Sequence, residues 1–333
     1  MLNDKFTILG KEIKRGERAF LELEVAKLHT RNSIRVPVIV ERAKKDGPTL
    51  LLMGGVHGDE VNGIAIVRNI IRKKYNKPKR GMIICIPVFN VFGFLNLRRE
   101  FPDGRDLNRM FPGYLNGSLA SQFAYRFTKE IAPKVDYVID FHSGGADRSN
   151  FPQIRCVTKE EESLQLARIF NAPFILNSEY ISKSVRDTIR NLGKTILLFE
   201  GGKSNDLDEE VISCGVEGAV NVMKYLGLQD GDLELKQSPV VIPKAQWLRA
   251  PNSGMFQLRV TNGSWVVKKQ ILGEITDPYG DYEKKVFAPF DCYVFCVNTA
   301  PMVHKGDALF HVSLETQIDE FNNDLISPDY LVE

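Results

Sequence analysis

The chain has 333 residues, 44 Lys plus Arg against 42 Asp plus Glu, 43% hydrophobic and 26% charged residues, five His and five Cys. That is a globular balance, long enough for roughly two domains at about 150 residues each. A net charge of +2 lacks the basic surplus on which binding to nucleic acid or an anionic membrane draws.

The cysteines, Cys85, Cys156, Cys214, Cys292 and Cys296, are odd in number and only the last two are close together. Neither a disulfide framework nor a Cys-x-x-Cys zinc knuckle emerges, so they read as reduced thiols. Residues 1–10 include Asp4 and Lys5 in place of an apolar signal core. The longest apolar run, 81–95, is interrupted by Pro87 and Asn90 and falls short of the ~20 residues of a membrane span. The expected location is the cytoplasm, with no membrane partner.

In chain order, residues 5–40 show short apolar stretches ending in alternating Ile34, Val36, Val38 and Val40, an antiparallel β start. Residues 49–54 form an apolar run leading into paired glycines, and 61–75 set Val61, Ile64, Val67 and Ile71 at helical spacing. The spacing predicts a buried strand feeding a helix. Further strands are expected at 82–87, 135–141 and 195–200, and helices at 119–131, 160–170, 184–192 and 208–226. Such alternation predicts an α/β layer fold with a largely parallel sheet. The loop at 90–118 is long enough to suggest a functional segment. Beyond Gly227 the pattern changes to short β-rich segments punctuated by Gly and Pro. We expect two domains, 1–235 and 236–333, the second all-β.

Three apolar strands end beside chemistry-bearing residues. The first runs into Gly54-Gly55-Val56-His57-Gly58-Asp59-Glu60, where an imidazole and a carboxylate three positions apart can share a metal ion. The same residues also suit a polar turn with Asp59 or Glu60 at a helix N-terminus. The second ends in Asp140-Phe141-His142-Ser143-Gly144-Gly145, and ligands gather outside the carboxyl ends of strands in α/β sheets. His57, Glu60 and His142 make a two-His, one-carboxylate set of the kind that holds catalytic zinc with one position open. The third ends in Glu200-Gly201-Gly202, a candidate general base. The loop at 98–113 adds Arg98, Arg99, Arg105, Asn108 and Arg109, a candidate carboxylate clamp, because guanidinium forks bind carboxylates in bidentate fashion.

This set resembles the succinylglutamate desuccinylase/aspartoacylase family, a branch of the zinc carboxypeptidase superfamily, over nearly the whole chain. His57-x-x-Glu60, Asp106-x-Asn108-Arg109, His142 and Glu200 occur in the family's order. The resemblance implies a zinc-carboxypeptidase-like three-layer α/β domain and one Zn2+ per chain on His57, Glu60 and His142. It implies that Glu200 activates water and later protonates the leaving amine, and that Arg99 stabilises the oxyanion, with Arg98 competing for that place. Asn108 and Arg109 would hold the substrate carboxylate, and Asp106 would orient His57 from behind. No Gly-x-Ser-x-Gly elbow supports a covalent nucleophile, and Ser143 is not required as one.

The expected function is a zinc-dependent hydrolase that cleaves the amide bond of an N-acyl amino acid or a similar small, anionic amide. The alternatives are a metallocarboxypeptidase removing acidic C-terminal residues, and a non-catalytic metal- or carboxylate-binding protein. Homo-oligomerisation is left open. Ser143-Gly144-Gly145 departs from aspartoacylase-like members and leans toward bacterial ones. Arg148, Arg155 and Arg186 read more readily as surface arginines than as readers of further anionic groups. Residues 286–294 and 303–310 resemble the barrel-sandwich fold of lipoyl and biotinyl carriers, but 276–282 puts no modifiable Lys at the hairpin tip. No carrier role is expected, although Lys284 and Lys285 are close in sequence. Tyr279 and Tyr282 are expected at the pocket rim, and His304 and His311 as structural residues.

Overall fold

A computed structural model of the chain describes residues 5–27, 31 and 33–318. Leu50, Leu51, Leu52 and Met53 of the strand Lys45–Gly54 are all fully buried. Leu50 and Leu52 face one hydrophobic cluster and Leu51 and Met53 another, as the two-residue period of a pleated strand dictates. Full burial of such a side chain stabilises by about 1.5–3 kcal/mol, so the strand is anchored from both sides.

Three helices supply the first cluster: Val61–Arg72 through Ile66, Val67 and Ile70, Glu161–Phe170 through Leu166 and Phe170, and Glu209–Tyr225 through Val216 and Val222. The second cluster draws Phe123 and Phe127 from Leu119–Glu130, and Val185 and Ile189 from Val185–Asn191. Helices therefore cover both faces of the sheet.

Among the described residues that sheet has 12 strands. Its centre is parallel: Lys45–Gly54 lies between Arg80–Ile86 and Tyr137–Gly144, and Thr195–Lys203 follows beside Tyr137–Gly144. Its flanks are antiparallel, with Arg18–Lys27 and Ser33–Arg42 on one side and Arg148–Cys156 packed against Thr195–Lys203. The sheet is thus mixed and not largely parallel. Only residues 145–147 separate Tyr137–Gly144 from Arg148–Cys156, far fewer than the dozen or so that a parallel crossover needs. The sequence pattern also missed Arg148–Cys156, Phe174–Asn177 and the short helix Val91–Asn96, the last inside the expected loop.

After residue 235 the described chain contains strands and no helix, with a core around Val266, Leu272, Ile275, Val294 and Phe310. Four of these strands belong to the large sheet, and two of the four pair directly with strands from before residue 235. Val240–Arg249 runs parallel to Phe174–Asn177, and Cys292–Asn298 pairs antiparallel with Arg148–Cys156, setting Cys296 opposite Asn150. Among the described residues no helix is long and apolar enough to cross a membrane. All five cysteines are free thiols.

Candidate metal centre

Where Lys45–Gly54 ends, the chain must turn in little space. Gly55 takes a positive φ of 65°, and a Cβ on Gly58 would lie 1.9 Å from the backbone of Gly93, so only glycine fits there. Glu60 then occupies the N-cap position of Val61–Arg72 yet makes no side-chain cap hydrogen bond. Its carboxylate turns inward instead, and the turn serves the two histidines and not the helix.

Glu60 Oε1 lies 2.7 Å from His57 Nδ1 and Oε2 lies 2.8 Å from His142 Nδ1. The backbone N–H of Ser143 donates to Oε2 at 3.0 Å. One donor atom from each of His57, Glu60 and His142 falls within a 4.8 Å group, and all three residues are buried. Each imidazole is backed by a second carboxylate: His57 Nε2 is 3.1 Å from Asp106 Oδ1, and His142 Nε2 is 2.9 Å from Asp140 Oδ2. A histidine that ligates a metal through one ring nitrogen typically gives the other to a carboxylate. The donor set therefore fits a metal ion held through two Nδ1 atoms and Glu60.

The electrostatics agree. Burial alone would raise the Glu60 carboxyl, but the two imidazoles outweigh it and hold it well below the usual range. Burial opposes protonation of His57 and His142, yet the surrounding carboxylates win and raise both, His142 the more strongly. This is a site whose acidic groups already stabilise positive charge at its centre, and a metal ion would displace protons from it.

Arg99 joins the same group. Its Nη1 donates to Glu60 Oε1 at 3.1 Å, while Nε and Nη2 donate to Asp106 Oδ2 at 3.2 and 2.9 Å. Burial disfavours the charged guanidinium, but Glu60 and Asp106 more than restore it. Asp106 thus touches both His57 and Arg99, and it caps the turn Leu107–Arg109 by accepting the Asn108 N–H at 2.9 Å. Arg98 is exposed and lines a separate groove with Phe92 and Phe101, so Arg99 is the arginine that reaches the cluster.

A cavity of about 400 Å³ opens from these groups. Its walls include Asn108, Arg109 and Glu200. The Asn108 side-chain carbonyl accepts the Val185 N–H at 2.9 Å, and Arg109 donates to the Asn108 carbonyl at 2.7 Å. Glu200 sits in register beside His142, accepts from Asn150 Nδ2 at 2.8 Å and lies 3.7 Å from Arg155 Nη1.

Arg148, Arg155 and Arg186 line the same cavity, which corrects the expectation of surface arginines. Arg186 is 5% exposed, donates to the Ser178 carbonyl and hydroxyl at 2.9 and 3.4 Å and stands over the Tyr180 ring. Among the described residues it makes no ion pair, and its Nε has no hydrogen-bond partner. The β-rich region contributes Trp247 and Cys296 to the wall. Tyr279 and Tyr282 are not there: they belong to a turn organised by Asp277, which accepts four backbone N–H groups.

Sequence reasoning missed Asp140 and Asn150. Asp140 carried a signal, since two residues apart on a strand is the same face as His142. Asn150 carried none, because its partner Glu200 is distant in sequence.

The family model of the succinylglutamate desuccinylase/aspartoacylase catalytic domain matches residues 46–226, more than half of the chain. The chain is 28% identical over 274 residues to the N-alpha-acetyl-L-2,4-diaminobutyric acid deacetylase of Halomonas elongata, covering 78% of this chain and 80% of that one. Its fold is similar to a succinylglutamate desuccinylase/aspartoacylase of Rhodobacter sphaeroides, with a TM-score of 0.80 at 24% identity over 90% of this chain and 96% of that one. It is also similar to the product-bound ectoine utilization protein EutE (DoeB) of Ruegeria pomeroyi, with a TM-score of 0.82 at 22% identity over 95% and 100% of the two chains. With the family model spanning the strands and loops that build the His57, Glu60 and His142 cluster, the chain belongs to the succinylglutamate desuccinylase/aspartoacylase family of amidohydrolases.

Proposed function

We propose that the chain is a zinc-dependent deacylase acting on the amide bond of a small N-acyl amino acid or a similar carboxylate-bearing amide. The observation that carries this reading is the convergence of a buried His-Glu-His set, Arg99 and Glu200 on one cavity. We also propose the finer architecture: a zinc-carboxypeptidase-like layered domain over 1–235 and a barrel-sandwich-like domain over 236–333.

His57, Glu60 and His142 would hold the ion, with Asp106 and Asp140 fixing the imidazole orientations. Zinc in such a site lowers the pKa of a water toward ~7 and polarises a carbonyl. Arg99 stabilises the negative charge that develops on the carbonyl oxygen, where a fixed cation acts most strongly on the transition state. Glu200 takes one proton from the attacking water and returns it to the leaving nitrogen as the C–N bond breaks. Asn108 and Arg109 hold the substrate carboxylate at the cavity wall.

Five arginines, Arg99, Arg109, Arg148, Arg155 and Arg186, line the cavity against two carboxylates, Glu60 and Glu200. That balance favours an anionic substrate. The test is Glu200→Ala: zinc content equal to the parent's with turnover reduced by about 10²-fold or more. Undiminished turnover on a panel of N-acetyl and N-succinyl amino acids would sink the mechanism. Faster cleavage of peptides ending in Glu than of the panel would favour the carboxypeptidase reading instead.

A further inference from the structure

We infer that Asn150 is a positioning residue for Glu200, and that the β-rich C-terminal region clamps it in place. The inference rests on the proposed role of Glu200. Asn150 is 5% exposed and gives its side-chain N–H to Glu200 Oε2 at 2.8 Å. A glutamate side chain has three torsions to settle, and one good donor on one oxygen orients the carboxylate plane. Oε1 is then left for proton transfer, with Arg155 Nη1 3.7 Å away. Only a donor can do this. An aspartate of the same shape would present an acceptor to an acceptor.

The local backbone shows why the hydrogen bond is available. The pairing of Thr195–Lys203 with Arg148–Cys156 is regular up to Glu200 opposite Gln153, shifts, and resumes with Gly202 opposite Asn150. Such irregularities re-aim side chains beside active sites, and here Asn150 reaches diagonally to Glu200.

Asn150 is held from its other side by the C-terminal strand Cys292–Asn298. Cys296 pairs with Asn150, Val297 with Ser149 and Asn298 with Arg148. Asn262 Nδ2 donates to the Ser149 carbonyl at 3.0 Å, and the Thr299 N–H and hydroxyl both donate to the Asp147 carbonyl at 2.8 Å. Residues 147–150 are thus fastened by groups that arrive more than 100 positions later in the chain. The C-terminal region does more than wall the cavity: it sets the angle of the base.

The test uses the full chain loaded with Zn2+ and the fastest-cleaved member of the N-acetyl and N-succinyl amino acid panel. Asn150→Asp should lower kcat by about 30-fold or more and Asn150→Ala by about 10-fold, with KM within about twofold and zinc content unchanged. In the residual activity of Glu200→Gln, adding Asn150→Ala should cost less than about twofold, because the partner it acts through is already disabled. An Asn150→Asp protein with parental kcat would overturn the inference. So would an Asn150→Ala loss of equal size in the Glu200→Gln background. Should Asn150→Asp fail to fold, Asn150→Ala and the double variant decide the matter alone. A nearly inactive Glu200→Gln beside a fully active Asn150→Asp removes only this inference, whereas a fully active Glu200→Gln removes the reading of Glu200 as well.

Discussion

Two sets of charged groups at the cavity are built on opposite electrostatic plans. In the first set the positive groups are matched by carboxylates: His57 by Glu60 and Asp106, His142 by Glu60 and Asp140, and Arg99 by Glu60 and Asp106. In the second set Arg148 and Arg186 line the cavity with carbonyls and aromatic rings as partners, and among the described residues the ion pair of Arg155 is a distant contact with Glu200. The electrostatics of the first set suit a cation and those of the second an anion. A buried guanidinium without a carboxylate costs stability, and such a cost is retained where a ligand relieves it.

The largest effect is expected in the first set. His142→Ala removes one of the three proposed ligand atoms and strands Asp140 without its partner. Turnover should fall by about 10³-fold or more, with zinc content well below one ion per chain by elemental analysis. Full metal content in that variant would break the contrast between the two sets.

Arg186→Gln tests the second set. It should raise KM for a carboxylate-bearing substrate about 10- to 100-fold, the value of a hydrogen bond to a charged group, while zinc content stays at the parent's level. Urea denaturation should show stability equal to or above the parent's, because a buried unpaired charge has gone. A large loss of stability with unchanged KM would make Arg186 structural.

The smallest effect sharpens the picture behind the cavity wall. His311 stacks flat on Trp247 at 4.4 Å, and burial, aided by the charge of Arg155, pushes its pKa down to about 3. Below about 6.5 the unfolded chain takes up a proton that folded His311 refuses until about pH 3. His311 therefore contributes no penalty above about 6.5 and costs stability progressively as the pH falls toward 3. His311→Phe keeps a ring on Trp247 and removes the titration. Its unfolding free energy from urea denaturation should fall less between pH 7 and pH 4.5 than the parent's, by about 2–3 kcal/mol. Identical acid sensitivity in the two proteins would show that burial and the charge of Arg155 do not keep folded His311 neutral.

Much of the α/β part was legible because its signals are local. Leu50 to Met53 read as a strand buried on both faces, and Val61, Ile64 and Val67 as one side of a helix. The helices expected at 119–131 and 208–226 correspond to Leu119–Glu130 and Glu209–Tyr225. Arg148–Cys156 was not legible, since Pro152 and the polar Asn150, Gln153 and Arg155 hide a strand whose polar residues face protein. Its direction followed from a short connection, and its second neighbour, Cys292–Asn298, comes from the far end of the chain.

The sequence by itself determined which chemical groups the protein possesses and which of them end apolar strands: His57, Glu60, His142 and Glu200 in an order that marks a family. Strand ends of one sheet face a common edge, so that information survives in one dimension. Only the tertiary structure decided that Glu60 turns away from its helix cap, that Arg99 and not Arg98 reaches the cluster, and that Arg186 is buried with no ion pair among the described residues. It also decided that Asn150 meets Glu200. Each of these depends on a contact between segments remote in sequence, where the pairing partner and not the local residue pattern sets where a side chain goes.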